Sequence, residues 1–224
     1  MSGRPTNAGF LVEAVLFDLD GTLVDSSGSV LRAWQLVAAE LAVPIEAFQP
    51  YLHGIPAPQV FAAVTPWLSG LEIAQLTERM LAEQAADTRG VVAQPGARWA
   101  LETLPRDRWA IVTSADRRLA QARIRAAELA APGVLITTED VMVGKPDPAC
   151  YLLGAQRLNF PPRRCLVVED APAGVAAATA AGMPVVGVLT TYHALDGVTV
   201  QVPDLTYLRL RADGRGVHVA VQRD

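Results

Sequence analysis

Two aspartates, Asp18 and Asp20, carry the strongest chemical signal in the sequence. They directly follow the short apolar run 14–17 and precede Gly21 and Thr22. In extended backbone, residues two apart point the same way, and ligands of open α/β sheets bind at the carboxyl ends of the strands. Two carboxylates this close repel one another unless a cation lies between them, and Mg²⁺ prefers carboxylates together with phosphate oxygens. The pattern indicates a site for Mg²⁺ and phosphate, with a turn of solvated acids as the alternative.

Hydroxyl groups follow a second apolar run in the same way. Thr113 and Ser114 come directly after the run 109–112, and Asp116 precedes a helical pattern. Ser114 or Asp116 is well placed to cap that helix. A helix N-terminus with a neighbouring hydroxyl also binds phosphate, so the capping role and the phosphate-binding role are compatible.

Lys145 is held between residues that restrict the backbone. It lies in the stretch Gly144-Lys145-Pro146, and glycine and proline fix the direction in which the chain presents the side chain between them. A rigidly placed ammonium group suits a phosphoryl oxygen or a carboxylate that must stay ionised. The ordinary alternative is a surface lysine.

A second pair of acids, Glu169 and Asp170, ends another apolar run at 165–168. As metal ligands they would add carboxylates from a different strand to those of the first pair. Asp170 also stands where a helix cap is expected, two residues before Pro172. The pair therefore predicts either a contribution to the metal site or a helix cap.

The elements that must position these residues are short apolar runs with the composition of strands buried on both faces. The runs are Ala14–Phe17, Trp109–Val112, Val134–Ile136, Cys165–Val168 and Pro184–Leu189. Helical patterns alternate with them at Asp116–Glu128, Pro148–Leu158 and Pro172–Ala181. This alternation predicts an α/β fold with a parallel, doubly wound, Rossmann-like sheet.

Residues 25–92 interrupt that alternation with helical patterns divided by prolines and no strand pattern. The simplest interpretation is a helical domain at 25–92 inserted into a core made of residues 1–24 and 93–224. We expect its large apolar side chains Trp34, Phe61, Trp67 and Met80 to form a local core, with a platform for a ligand as the alternative. In the tail, Leu208–Leu210 and Val217–Val221 flank a glycine-rich turn and predict a C-terminal β-hairpin.

Composition narrows the classes of function. The 224 residues carry a net charge of −4 with scattered basic residues, which gives no general electrostatic case for nucleic-acid binding. No apolar stretch approaches the roughly 20 residues of a transmembrane helix, and the first ten residues lack the apolar core of a signal peptide. We expect a cytoplasmic protein without a membrane or nucleic-acid partner, monomeric by default. Cys150 and Cys165 are interpreted as small apolar residues, with a disulfide or a reactive thiol as the alternative.

Four motifs, taken in order, resemble those of the haloacid dehalogenase-like phosphohydrolase superfamily. They are the nine residues from Asp18 to Ser26, then Val112-Thr113-Ser114, Gly144-Lys145-Pro146 and Val168-Glu169-Asp170. The helical insertion directly after the first motif resembles the small α-helical cap of that superfamily. The stretch 169–174 is similar to the fourth motif of its sugar-phosphate and glycerol-phosphate phosphatases.

The resemblance implies a role for each motif residue. Asp18 is the nucleophile and forms an aspartyl-phosphate, and Asp20 protonates the leaving alcohol and then activates water. Thr113, Ser114 and Lys145 bind the phosphoryl oxygens. The Mg²⁺ ligands are the Asp18 carboxylate, the Asp20 backbone carbonyl, Asp170 and, directly or through water, Glu169.

Within the inserted segment, His53 and Gly54 resemble the specificity loop of this superfamily. Relatives often have arginine after that glycine, whereas Ile55 stands here, which argues against a substrate with a second phosphate. For His53, contact with the substrate and a plain surface position both stay open.

The sequence therefore predicts a Mg²⁺-dependent phosphatase whose partner is a small phosphorylated metabolite. The open substrates are a hexose or deoxyhexose 6-phosphate, a hexitol phosphate and glycerol phosphate. One alternative is a phosphosugar mutase similar to β-phosphoglucomutase, and a more remote one is a non-catalytic module that binds a phosphometabolite and regulates a partner. The Gly-Thr-Leu that follows Asp20 favours a phosphatase over a mutase, and the presence of the four motif residues Asp18, Asp20, Lys145 and Asp170 argues against a silent module.

Overall fold

A computed structural model describes residues 9–51 and 56–222. The strands are β1 (Gly9–Val12), β2 (Ala14–Phe17), β3 (Val24–Asp25), β4 (Val92–Ala93), β5 (Trp109–Val112), β6 (Leu135–Ile136), β7 (Cys165–Glu169), β8 (Val185–Val188), β9 (Val200–Val202), β10 (Leu208–Asp213) and β11 (Gly216–Val221). The helices are α1 (Ser27–Glu40), α2 (Ala57–Val64), α3 (Gly70–Ala86), α4 (Ala97–Thr103), α5 (Arg117–Ala126), α6 (Ala149–Arg157) and α7 (Pro172–Ala180). Among the described residues, no helix combines the length and apolarity needed to cross a membrane.

The centre of the fold is a six-stranded parallel sheet in the order β6-β5-β2-β7-β8-β9. The strands β2, β5, β7 and β8 are buried along their whole length, as continuous apolar runs in a parallel sheet require. Phe17 is in register with Ile111 on one side and Val168 on the other. The polar residues that follow these strands therefore leave the sheet at one edge.

Helices cover both faces of this sheet. One apolar cluster joins the strands to α4 and α5 through residues such as Leu101 and Leu119. The other joins them to α6 and α7 through residues such as Tyr151 and Ala178. The predicted doubly wound α/β fold is confirmed, and each predicted strand and helix of this layer is present within a few residues of its expected bounds.

The inserted segment has an apolar cluster of its own. Trp34 on α1 packs with its ring centroid 5.1 Å from those of Phe48 and Phe61, and Met80 on α3 is buried in the same cluster. The expectation for Trp67 is wrong, because this residue is 64% exposed. Trp67 lies in the turn between α2 and α3, off both apolar helix faces, and it is not among the described residues of the segment's apolar cluster.

Two short strands mark the places where the chain enters and leaves this segment. The two-residue strands β3 and β4 pair antiparallel, with Val24 opposite Ala93 and Asp25 opposite Val92. The sequence contains no pattern for strands of this length. The pairing brings the two connections together, and Val24 also forms a bridge with Asp20.

The tail forms the predicted hairpin of β10 and β11, and β1 adds a third antiparallel strand to it. The sequence did not predict β1, β9 or α4. These elements are only 4, 7 and 3 residues long for β1, α4 and β9, which is too short for a clear periodic pattern. Cys150 and Cys165 are both buried free thiols, as predicted for small apolar residues.

Close packing of α6 on the sheet yields a stability prediction. A Cβ atom on Gly154 would lie 2.8 Å from Leu16 Cδ2 and 3.2 Å from Val112 Cγ2. We expect Gly154→Val to lower the free energy of unfolding by about 1–3 kcal/mol, because the added methyl groups overpack this contact. Urea denaturation measures the change.

The control for this change is Gly70→Val at the start of α3. Nothing lies within 4 Å of a Cβ at Gly70. We expect the control to change the free energy of unfolding by less than about 1 kcal/mol, the range of helix propensity. Equal stability of the two variants would contradict the close helix–sheet contact.

Candidate active site

Asp18 is the first residue after the central strand β2, and its side chain is buried. Its backbone N–H donates to the carbonyl of Val168 at 3.0 Å, so β7 fixes its position after β2 ends. The residue as a whole is 7% exposed. A carboxylate this buried needs a compensating charge or donor.

Lys145 supplies that charge from the loop before α6. Its Nζ donates to Asp18 Oδ1 at 2.5 Å, to Glu169 Oε1 at 2.7 Å and to the carbonyl of Val112 at 3.1 Å. The three donors of an ammonium group are thus accounted for by three different strand ends. This placement confirms that the Gly-Lys-Pro backbone directs Lys145 inward rather than onto the surface.

Glu169 is held by four hydrogen bonds. Besides Lys145, Tyr151 Oη donates to its Oε1 at 2.9 Å, and the N–H groups of Asp170 and Ala171 donate to its Oε2 at 2.9 and 3.0 Å. A Cβ atom on Gly174 would collide with this carboxylate. Helix α7 can therefore begin over Glu169 only because a glycine stands at that position.

Asp170 follows Glu169 and faces the turn after Asp18. Its Oδ1 accepts from Thr22 Oγ1 at 3.2 Å, and the Thr191 side chain also hydrogen-bonds to it. Gly21 lies against it with φ +88°, and a Cβ atom there would collide with the Asp170 carboxylate. Both the left-handed backbone and the lack of space explain the glycine of this motif.

The buried carboxylates outnumber the ammonium group. Burial raises the pKa of Asp18 well above its usual value, with Lys145 opposing this and Glu169 and Asp170 adding to it. Burial and the Glu169 charge raise the pKa of Asp170 to about 7. Burial alone would lower the pKa of Lys145, but the carboxylates of Asp18 and Glu169 raise it well above its usual value. Burial and mutual repulsion therefore favour the protonated forms of Asp18 and Asp170 when the cluster holds no further positive charge.

The donor set fits a divalent cation. Asp18, Glu169 and Asp170 each offer a carboxylate oxygen, and these oxygens lie within 4.8 Å of one another. Three buried carboxylates opposite one ammonium group leave an excess of about two negative charges, which matches a hard divalent ion with oxygen ligands. Glu169 already accepts four hydrogen bonds, so Asp18 and Asp170 have more capacity left for a metal.

Asp20 lies after the same strand but is held by different partners. Its Oδ1 accepts from Ser26 Oγ at 2.8 Å, and its Oδ2 forms an ion pair with Arg123 Nη1 at 2.6 Å. Its side chain is 28% exposed. The two acids after β2 thus have different partners, Lys145 for Asp18 and the Ser26–Arg123 pair for Asp20.

Thr113 and Ser114 lie after β5, beside the strand that carries Asp18. Thr113 is buried, and its Oγ1 accepts from the N–H of Ala115 at 3.0 Å, whereas Ser114 is exposed. The helix cap is Asp116, whose side chain accepts from the N–H of Leu119 at 2.7 Å. The capping role predicted for Ser114 or Asp116 therefore belongs to Asp116.

The structure brings Asp18, Lys145, Glu169 and Asp170 into one cluster, whereas the carboxylate of Asp20, which the sequence analysis grouped with them, is bound to Ser26 and Arg123. His53 and Gly54 lie outside the described residues. Four contacts of the site were missed: Tyr151, Arg123, Ser26 and Thr191. Arg123 had a detectable signal, because it falls on the apolar face of α5 at helical spacing with Leu119, Ala120 and Ala127.

Comparisons with known proteins identify the family of this chain. Residues 12–182 match the family model of the haloacid dehalogenase-like hydrolases. Hexitol phosphatase A of Escherichia coli is 44% identical over 77% of this chain and 81% of its own length. Glycerol-1-phosphate phosphohydrolase 1 of Saccharomyces cerevisiae is 32% identical over 81% of this chain and 76% of its own length. The crystal structure of a hydrolase from Pseudomonas syringae, 26% identical, superposes with a TM-score of 0.76 over 87% of this chain and 94% of that one.

Metal binding at this cluster should depend on pH. Since the pKa of Asp170 is raised to about 7, its carboxyl group is protonated below that pH and must lose the proton to bind a cation. We expect Mg²⁺ affinity to fall by up to about tenfold per pH unit below 7, with proton release on binding. Titration calorimetry one pH unit below and above 7, in buffers of different ionisation enthalpy, measures both quantities.

Asp170→Asn is the control for this experiment. The amide cannot titrate, so we expect weaker Mg²⁺ binding with less dependence on pH than in the unsubstituted protein. Equal affinity at both pH values without proton release would contradict the raised pKa of the site.

Proposed function

This chain belongs to the haloacid dehalogenase-like hydrolase family, and we propose that it releases phosphate from a small sugar or polyol phosphate through an aspartyl-phosphate on Asp18. Its phosphatase relatives and its family make it a phosphoric monoester hydrolase. The observation that carries the proposal is the contact of Lys145 Nζ with the buried carboxylate of Asp18, 2.5 Å away, at the edge where the parallel strands end.

Asp18 acts as the nucleophile in the proposed reaction. A carboxylate oxygen attacks phosphorus, a new P–O bond forms, and the bond from phosphorus to the leaving oxygen breaks. Lys145 supports this step because its ammonium group lies against Asp18 and carries a charge that suits the phosphoryl oxygens. The hydrogen bond from the Asp18 N–H to Val168 keeps the backbone of the nucleophile in place.

Asp20 serves as acid and then as base. It gives a proton to the leaving oxygen, so the alcohol departs neutral, and it later takes a proton from the water that attacks the phosphoryl group. That second attack breaks the acyl phosphate, restores the Asp18 carboxylate and releases inorganic phosphate. Asp20 is partly exposed and lies two residues from the nucleophile, which suits a group that exchanges protons with substrate and water.

Mg²⁺ is the proposed cofactor, and when bound it would neutralise the carboxylates and the charge on the phosphoryl oxygens. Asp18 and Asp170 would hold it with their carboxylates, Asp20 with its backbone carbonyl, and Glu169 directly or through water. We assign Thr113 and Ser114 to the phosphoryl oxygens together with Lys145. Their place directly after β5, next to β2, supports this assignment.

The substrate class is proposed from the relatives and the inserted helical segment. Hexitol phosphatase A and the glycerol-1-phosphate phosphohydrolase act on the classes that their names state, and the 44% identity favours a hexitol or hexose phosphate here. We propose that residues 25–92 form a cap that excludes water and contacts the leaving alcohol, with His53 and Gly54 in its specificity loop. A cytoplasmic, monomeric protein remains our expectation.

The nucleophile is tested by Asp18→Asn. An amide cannot form the acyl phosphate, so we expect phosphate release to fall by at least about 10³-fold, the scale of losing a nucleophile. Phosphate release is measured with Mg²⁺ against a panel of hexose, hexitol and glycerol phosphates. Asp107→Asn is the matched control and should keep full activity. Asp107 is exposed and precedes the start of β5, whereas the site lies at the other end of that strand.

The same panel separates a phosphatase from a mutase. Glucose 1-phosphate is added with a hexose bisphosphate activator, and both isomerisation and phosphate release are followed. Isomerisation without phosphate release would contradict the proposal, and so would full turnover by Asp18→Asn.

A further inference from the structure

Both carboxylate oxygens of Asp20 are held from the inserted helical segment, one directly and one through an arginine. Oδ1 accepts from Ser26 Oγ at 2.8 Å, and Ser26 immediately precedes α1. Oδ2 lies 2.6 Å from Arg123 Nη1. Arg123 belongs to α5 of the core, yet its other terminal nitrogen points to the inserted segment. The position of Asp20 therefore depends on groups at both ends of that segment.

Arg123 is a buried bridge between the segment and Asp20. The residue is 4% exposed, and its Nη2 donates to Gln84 Oε1 on α3 at 2.6 Å. Within the described part of the chain, its Nε–H has no acceptor. A buried guanidinium is costly unless its partners stay in place, so its contacts with Asp20 and Gln84 are the interactions that offset its burial.

Gln84 lies where α3 touches both cores. Leu76 and Met80 on α3 are buried in the cluster of the inserted segment, whereas Leu81 and Ala85 pack against the cluster of the main sheet. Gln84 continues the helical spacing of Leu76 and Met80 and is itself 5% exposed. A polar side chain at this place is explained by its bond to Arg123.

We propose that Arg123 is a positioning residue that fixes the Asp20 carboxylate and makes its position depend on how α3 lies on the core. The inference rests on the proposed role of Asp20 as acid and base. In this inference, the inserted segment proposed to contact the leaving alcohol also determines the position of Asp20, the group proposed to protonate that alcohol. The dependence matters most for substrates whose leaving oxygen cannot depart without a proton.

Two substrates separate this role from a purely structural one. Since kcat/KM for a covalent route reports steps up to formation of the phosphoenzyme, it isolates the step in which Asp20 acts as acid. p-Nitrophenolate leaves without a proton, whereas a sugar or polyol alkoxide requires one. The ratio of kcat/KM for the best alkyl phosphate of the panel to that for p-nitrophenyl phosphate therefore measures how well Asp20 is placed.

We expect Arg123→Met to lower this ratio by about 10- to 100-fold, the scale of a misplaced catalytic group. Arg123→Lys keeps a cation with shorter reach and should restore part of the ratio. Arg125→Met, an exposed arginine on the same helix, is the matched control and should leave the ratio unchanged. Thermal unfolding of each variant shows whether it is folded.

Gln84→Leu tests the link to the inserted segment. It should lower the ratio in the same direction but less, while the exposed Gln75→Leu on the same helix should not. Because Gln84 acts through Arg123, the double variant Arg123→Met/Gln84→Leu should match Arg123→Met alone. Additive losses would overturn the proposed order of action.

The variant Asp20→Asn distinguishes an error in this inference from an error in the proposed function. If Asp20→Asn lowers the ratio and neither Arg123→Met nor Gln84→Leu does, the inference is wrong and the role of Asp20 stands. If Asp20→Asn leaves the ratio unchanged, the proposed function itself is wrong at Asp20. An equal loss for both substrates in Arg123→Met would make Arg123 a structural residue only.

Discussion

The ammonium group of Lys145 is placed between two buried carboxylates, Asp18 and Glu169, and the rest of the site follows from that contact. One cation cannot balance three acids, so a third carboxylate, Asp170, leaves the cluster short of positive charge. Burial, together with this shortage of positive charge, raises the pKa values of Asp18 and Asp170, and a divalent metal ion would supply the missing charge. The same cluster therefore explains both the proposed nucleophile and the proposed need for Mg²⁺.

The parallel sheet makes this cluster possible. Asp18, Glu169 and the Val112 carbonyl leave three adjacent strands at one edge, and Lys145 reaches all three from the loop before α6. Two glycines, Gly21 and Gly174, allow neighbouring backbone to approach carboxylates that any larger side chain would displace. Asp20 is separated from this cluster by its bonds to Ser26 and Arg123, so two acids from one strand end have different partners and suit different roles.

The parts of this structure that could be predicted from the sequence are those with strong local patterns. Apolar runs such as 14–17 and 165–168 are long enough to be recognised as buried strands, and the acids that end them marked the site. The short pair β3 and β4 and the exposed position of Trp67 depend on tertiary packing, which periodicity does not contain. The sequence shows Arg123 and Gln84 as polar residues on the apolar faces of their helices. Their contacts with each other and with Asp20 become visible only in the structure, because the three residues are far apart in sequence.

The central claim is that Asp18 carries the phosphoryl group, and trapping it there is the most direct test. Asp20→Asn is mixed with Mg²⁺ and p-nitrophenyl phosphate, whose leaving group needs no proton, and the reaction is quenched with acid. Peptide mass spectrometry then locates the phosphoryl group. The account predicts about one phosphoryl group per chain on the peptide that contains Asp18, because the variant lacks the base for the second step. Rapid release of phosphate without any phosphorylated Asp18 would contradict this claim.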